Sequence, residues 1–377
     1  MNAVTRYYFD HNATTPVSPE VLQAMVPLMT TVFGNASSIH QFGQEARSEL
    51  DRARRSVAAM LGAKAEEIVF TGGGTEADNM AIFGAGGHVI TTTVEHPAVL
   101  QAAGQLPSAT FVPVDGSGVV EPEAVRAAIR PDTKLISVMH VNNELGVIQP
   151  LREIGEIAHE AGVLFHSDGV QAMGKLPVNL AELGVDFYSI SAHKIYGPKG
   201  IGALYIRKGA ELRPLLYGGP HERKMRAGTE NVAGAVGFGR AAEWVIEESG
   251  AEAARQSVMR DRLEQGILAR VAGAHVNGAG ALRVGNTSNI RFDGIDSEPL
   301  LIALDLKGFA VSSGSACSSG ATEPSHVLAA IGLTREQARS SVRFSLGRSN
   351  TAEQIDALID AVVQVVTRLR KLAPAYV

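Results

Sequence analysis

The chain has 377 residues, enough for two or three folding units or one large α/β unit with an appendage. Its 34 Lys and Arg against 39 Asp and Glu leave a net charge of -5, which argues against a dedicated nucleic-acid binder. Hydrophobic residues at 45% and charged residues at 19% describe a chain with a sizeable core and exclude a disordered one. The single cysteine, Cys317, excludes an internal disulfide and fits a reducing, cytoplasmic setting. The opening MNAVTRYYFDHNATTP lacks the apolar segment of a signal peptide, and no run approaches the ~18 apolar residues of a membrane span.

The first predicted element is a helix. Ala46, Leu50, Ala53, Val57 and Met60 recur at helical spacing with Arg and Glu between them, and Gly62 follows as a stop. Short apolar runs then alternate with stretches long enough for crossover helices. Residues 68–71, 88–91, 135–139, 163–166 and 187–190 read as strands. Buried strands separated by helices predict an α/β fold with a mainly parallel sheet covered on both faces. From about Ala251 the chain changes character, opening with a charged helical stretch and giving a strand over 287–292. This predicts a second, smaller α+β unit. Thr351 and Gln354 form a capping-box pattern ahead of a stripe of Ile355, Leu358, Ile359, Val362 and Val366. The division expected is a large unit over 13–250 and a small unit made of 1–12 and 251–377.

Three segments carry candidate chemistry. Thr71-Gly-Gly-Gly-Thr-Glu-Ala-Asp-Asn79 follows a strand and opens a helix. Free N–H groups and the helix dipole at such a turn suit a phosphate, and Thr75 adds a hydroxyl; an ordinary strand-to-helix turn is the competing reading. Asp168, in His166-Ser-Asp-Gly-Val-Gln171, ends a buried strand, where an acid serves a ligand better than packing, although a helix N-cap is also common there. Lys194 lies just past a strand end beside His193. A lysine among apolar residues can lose its proton and form a Schiff base, whereas a lone lysine is usually a solvated surface group. The order phosphate turn, strand-end Asp, strand-end Lys supplies the parts needed to hold pyridoxal phosphate.

Longer motifs carry a resemblance. YFDHNATTP, FGNASSIHQFG, GGGTEADN, VEHPAVL, MHVNNELGVIQP, HSDGVQAMGK, SAHKIYGPKGIGAL, GGPHERKMRAGTEN, SSGSACSSGATEPSHVL and SVRFSLGR run nearly end to end. The chain resembles the cysteine desulfurases of the NifS/IscS type, within the class V aminotransferase-like, fold-type I pyridoxal phosphate enzymes. The resemblance implies a seven-stranded, mainly parallel sheet in the large unit. It implies a homodimer that converts L-cysteine to L-alanine and passes sulfur to an acceptor protein such as an iron–sulfur scaffold.

Residue roles follow from the same resemblance. Lys194 would carry the cofactor as a Schiff base, Asp168 would keep its ring nitrogen protonated, and Gln171 would bond the ring hydroxyl. His96 would stack on the ring and shuttle protons. Gly74, Thr75, Ser191 and His193 would hold the phosphate, with Thr229 reaching the phosphate of the other subunit. Asn143 would lie beside the cofactor, and Asn35 and Arg343 would hold the substrate carboxylate.

A lone cysteine is usually a small core residue. Cys317, however, lies in a polar, glycine-rich run, Ser312 to Gly320, that offers no core face. The resemblance makes it the persulfide-forming nucleophile, on a loop of about 312–322. It also makes Cys317 a transient iron–sulfur ligand shared with a partner, with no permanent metal site. Ala373 to Val377 is shorter than the extension of the housekeeping members, which puts a scaffold contact of that type in doubt. A selenocysteine lyase, another class V lyase or aminotransferase, and an inert scaffold partner are the rival readings. The cysteine loop argues against the lyases, and the intact Lys194, Asp168, His96 and Cys317 argue against the scaffold.

Overall fold

A computed structural model describes residues 5–313 and 324–372. Cys317 and residues 373–377 lie outside the described residues. Seven strands form the central sheet: β1 Ile68–Thr71, β2 His88–Thr92, β3 Ala109–Val112, β4 Thr133–Ser137, β5 Leu164–Asp168, β6 Phe187–Ser191 and β7 Gly202–Ile206. Their order is β1-β7-β6-β5-β4-β2-β3. Only β7 runs against its neighbours, β1 and β6; the other pairs are parallel.

Side chains alternate across a strand, so a sheet covered on both faces feeds two cores. Ile68, Phe70, Ile90, Ile136, Phe165, Tyr188 and Ile190 enter one core. Their sequence neighbours Val69, Val89, Leu135, Phe187 and Leu204 enter the other. This explains why the strands read as unbroken apolar runs. The expected run 135–139 is shifted: the strand is Thr133–Ser137, and Val138 and Met139 already belong to the turn that leads to the site. Likewise 163–166 becomes Leu164–Asp168. β3 and β7 were not predicted, since Ala109–Val112 is a half-exposed edge and Gly202–Ile206 is embedded in a glycine-rich motif.

The helix Gln41–Met60 buries Ala46, Leu50, Ala53, Val57 and Met60 as the spacing predicts. Gly62 follows at φ +66°, the left-handed conformation that glycine tolerates after a helix end. The final helix, Ala352–Leu372, buries its predicted stripe, and Thr351 Oγ1 accepts the Gln354 N–H at 3.3 Å.

A further core joins Phe9 to residues between Met259 and Val366. It packs on the antiparallel strands β8 Ala274–Val276, β9 Thr287–Phe292 and β10 Ser341–Ser345. No chain break accompanies the compositional change near residue 251. One 39-residue helix, Val232–Arg270, runs straight through it. Ala235, Phe238, Ala242 and Val245 of this helix enter the sheet core, while Met259, Leu263 and Ile267 enter the further core. The change of composition thus marks a change of packing partner. Gly250 sits at the exposed crossover, where its ~1 kcal/mol helix penalty is tolerated.

Candidate active site

The parallel strands deliver their C-terminal ends to one edge of the sheet, and a cavity of about 420 Å³ lies there. At the end of β1, the turn Gly72–Gly73 opens the helix Gly74–Ala85. Glu76 folds back so that its Oε2 accepts the Gly72 N–H at 2.8 Å, and Arg226 holds the same carboxylate at 2.9 Å. The first N–H groups of the helix have no intrahelical partner and face an anion naturally. Gly74 and Thr75 line the cavity. A Cβ on Gly74 would come within 2.7 Å of Val170 Cγ2, so only glycine lets this turn lie against the strand-end loop. Ser191 and His193 line the same side. Burial, with Lys194 and Lys199 nearby, holds His193 down at about 4. A neutral imidazole there binds through hydrogen bonding rather than charge.

Asp168 ends β5 and is 5% exposed. Burial pushes it up to about 6, opposed by the Val170 N–H, which its Oδ1 accepts at 2.9 Å, and by the charge of Lys194. Asp78, on the helix behind it, is driven well above the usual carboxylate range by burial and by Asp168 itself. Two close carboxyls cannot both ionise cheaply, so the inner one, Asp78, stays protonated and Asp168 takes the charge. Behind them His166, held down at about 3 by burial, bridges Ser137 at 2.8 Å and Ser189 at 2.9 Å. Asp78 and His166 escaped the sequence reading of the site; their signal was polarity inside otherwise apolar elements.

Lys194 follows β6 on the short turn Ala192–Lys194. Its Nζ donates to the backbone carbonyls of Asn12 at 2.5 Å and Ala13 at 2.8 Å. Asn12 is the residue whose importance the sequence concealed. Its carbonyl also accepts from Gln171 Nε2 at 2.9 Å. Its Nδ2 donates to Thr287 Oγ1 at 2.9 Å and to the Asn143 carbonyl at 3.1 Å. Its Oδ1 accepts from Lys175 and from Asn286, each at 3.0 Å.

His96 caps the helix Pro97–Gly104, its Nδ1 accepting the Ala98 N–H at 3.1 Å. The proton of the neutral ring therefore sits on Nε2. Burial, with help from Lys194 and His326, holds this histidine down at about 4. Arg343, on β10, reaches the cavity with 2% exposure, donating to Asp10 Oδ1 at 2.7 Å and to the Asn143 carbonyl at 3.0 Å.

Two expected residues lie apart. Asn35 is exposed on the loop before Gln41–Met60, where its Oδ1 accepts the Ser37 N–H at 2.9 Å, so it does not join Arg343 within this chain. Short loop sequence gave no sign that the amide is spent on its own turn. Thr229 is exposed and also outside the cavity. Cys317 lies outside the described residues, but both flanks of its loop are fastened to the site. Ser312 exchanges backbone hydrogen bonds with Arg343, at 3.2 and 2.6 Å. Ser325 Oγ donates to buried Glu144 at 2.6 Å, and His326 Nε2 bonds the Glu95 carbonyl at 2.9 Å.

The donor set fits pyridoxal phosphate: helix N–H groups and hydroxyls for a phosphate, a buried carboxylate for a ring nitrogen and a lysine amine for an aldehyde, with the Gly74 cradle leaving room. Among the described residues no group of three or more His, Cys, Asp and Glu could hold a metal ion, and no helix is long and apolar enough to cross a membrane.

This fold and site define a class V aminotransferase-type enzyme. The Aminotransferase class-V family model matches residues 7–358, and the chain belongs to that family. The chain is 47% identical to the cysteine desulfurase IscS of Dictyoglomus turgidum, over 97% of this chain and 96% of that one. Among solved structures, a NifS-like protein superposes with a TM-score of 0.91 at 37% identity, covering 97% of this chain and all of that one. A structure described as SspA in complex with cysteine has a TM-score of 0.81 at 37% identity, covering 91% and 99%.

Proposed function

We propose that this enzyme is a pyridoxal phosphate-dependent cysteine desulfurase that converts L-cysteine to L-alanine and retains the sulfur as a persulfide on Cys317. The observation that carries the reading is the fastening of both flanks of the Cys317 segment at the site: Ser312 to Arg343, which lines the cavity, and Ser325 to Glu144, the chain neighbour of cavity-lining Asn143. These anchors support a reading in which the Cys317 thiol meets substrate held in the cavity. The relatives named above support the same chemistry.

When bound, pyridoxal phosphate supplies an electron sink at the substrate Cα. Gly74, Thr75, Ser191 and His193 would hold its phosphate, and Asp168 would keep its ring nitrogen protonated. Gln171 would bond the ring hydroxyl, with Asn143 and His96 beside the ring. Lys194 would anchor the cofactor and take the Cα proton of the substrate. Arg343 binds the substrate carboxylate as a planar guanidinium fork. The Cys317 thiolate attacks the substrate sulfur, the C–S bond breaks as the new S–S bond forms, and protons delivered to Cβ and back to Cα complete alanine. His96 is built to donate, since its proton is on Nε2 and Nδ1 is occupied.

The cofactor-binding unit is the one built on the sheet, and the unit around Phe9 and β8–β10 carries Arg343 and the cysteine loop. The enzyme works as a cytoplasmic homodimer in which exposed Thr229 reaches the phosphate of the neighbouring site. An iron–sulfur scaffold or another acceptor protein takes the sulfur.

The test is intact-protein mass spectrometry after adding L-cysteine, with alanine measured in parallel. The wild-type enzyme gains the mass of one sulfur atom on Cys317, and Cys317→Ser gains none while making little alanine. Sulfide and alanine release by Cys317→Ser at the wild-type rate would replace this reading with a lyase acting without Cys317.

A further inference from the structure

Lys175 lies four residues after Gln171 and reaches back toward it. Its Nζ donates to Gln171 Oε1 and, at 3.0 Å, to Asn12 Oδ1. A lysine nitrogen has N–H groups to donate in either protonation state, and the carboxamide atom it meets is the oxygen. The other end of the same carboxamide meets the Asn12 backbone carbonyl at 2.9 Å, and a carbonyl can only accept, so that end must be the nitrogen. The flipped orientation would set the carboxamide oxygen against the Asn12 carbonyl and cost the bond that Lys175 donates. Asn12 is held in the same way. Its Nδ2 faces the Asn143 carbonyl, an obligate acceptor, which turns its Oδ1 toward Lys175.

Gln171 lines the cavity, whereas Lys175 does not. With one N–H committed to Asn12, the carboxamide has one N–H left for the cavity. We infer that Lys175 is a positioning residue that orients Gln171 so that it presents an N–H, and not a C=O, to the ring oxygen of the cofactor. The inference rests on the cofactor reading above. An N–H donor there favours the ionised ring oxygen, while a carbonyl would repel it. Burial, with the positive Lys194 and Arg343 nearby, pushes the Lys175 ammonium well below its ordinary range, in keeping with a group held for its hydrogens rather than for solvent contact.

The experiment compares wild type, Lys175→Met, Lys175→Gln, Lys175→Arg, Gln171→Leu and the double variant Lys175→Met with Gln171→Leu. Each apoprotein is titrated with pyridoxal phosphate, and the bound cofactor's absorption is recorded at one near-neutral pH. Lys175→Met is expected to bind the cofactor about tenfold more weakly, the loss of one hydrogen-bonded constraint. It should also shift absorbance from the yellow band of the ionised ring oxygen to the near-ultraviolet band of the protonated one. Lys175→Arg, which still only donates, should restore most of the yellow band. Lys175→Gln can accept as well as donate and should repeat the Met shift, so the test does not depend on one variant folding. The double variant should be no worse than Gln171→Leu alone. An unchanged band ratio and affinity in both Lys175→Met and Lys175→Gln would overturn the inference, as would full additivity in the double variant. Wild type that binds no pyridoxal phosphate would overturn the cofactor reading itself, and this inference with it.

Discussion

Lys194 Nζ lies 2.5 Å from the backbone carbonyl oxygen of Asn12. The main chain thus takes part in holding the lysine proposed to carry the cofactor, through this carbonyl and that of Ala13. The Asn12 carbonyl also takes Gln171, so one peptide group sets two cofactor contacts.

The first prediction concerns that lysine. Lys194→Ala should leave no protein-bound pyridoxyl group after borohydride treatment, while wild type is labelled on the peptide containing residue 194. Turnover should drop by roughly 10²–10⁴, the range for losing a positioned proton acceptor. A labelled variant peptide would remove Lys194 from this role.

The second concerns charge. Asp168→Asn keeps the shape and the Val170 N–H contact but cannot hold a protonated ring nitrogen as a carboxylate does. Cofactor should still bind, and alanine formation should fall by about 10²–10³, as when an electrostatic stabiliser is removed. Steady-state rates at saturating L-cysteine check this, and an unchanged rate refutes it.

The third concerns pH. Glu95 is fully buried beside His96, and burial pushes its carboxyl up to about 8. Folded protein thus holds a proton that the unfolded chain releases near 4.5, so wild-type stability falls as pH rises from about 4.5 to 8. Glu95→Gln, isosteric with the protonated acid, has no such loss. Its melting temperature should match wild type near pH 5 and exceed it by several degrees at pH 8. A gap that does not widen with pH would show that Glu95 titrates normally.

The fourth concerns the hub. Asn12→Ala deletes the side-chain hydrogen bonds to Lys175, Asn286, Thr287 and Asn143 while leaving the carbonyl that holds Lys194. Buried partners left unsatisfied are expensive, and the expected loss is about 2–4 kcal/mol in urea unfolding. A loss within 0.5 kcal/mol, the range of an ordinary surface substitution, would count against the hub.

The sheet was legible because its strands are buried on both faces and so are apolar throughout, and because helix stripes such as Leu50 to Met60 repeat without interruption. Edge strand Ala109–Val112 was not legible, since half-exposed residues carry no such signal. Nor was the continuity of Val232–Arg270, because a helix that changes partners midway changes composition as a domain boundary would. At the site, Gly74, Asp168 and Lys194 were marked by their places at strand ends. Asn12 and Asp78 were not, because their partners lie far along the chain and leave no local spacing, and Lys175, although four residues from Gln171, lies on a turn with its second partner, Asn12, 163 residues away. Asn35 shows the converse: a motif residue whose amide is occupied by its own loop.

The position of Asn12 has a consequence for synthesis. Its N–H bonds Ser345 Oγ, a partner 333 residues away, and its side chain needs Asn286 and Thr287. A nascent chain holds the lysine, the phosphate turn and Asp168 long before those partners leave the ribosome. Closing so long a loop comes late and only with the last strands. Cofactor capture is therefore a finishing event, and stalled chains ending before residue 341 should not retain pyridoxal phosphate through borohydride reduction, whereas released full-length protein should.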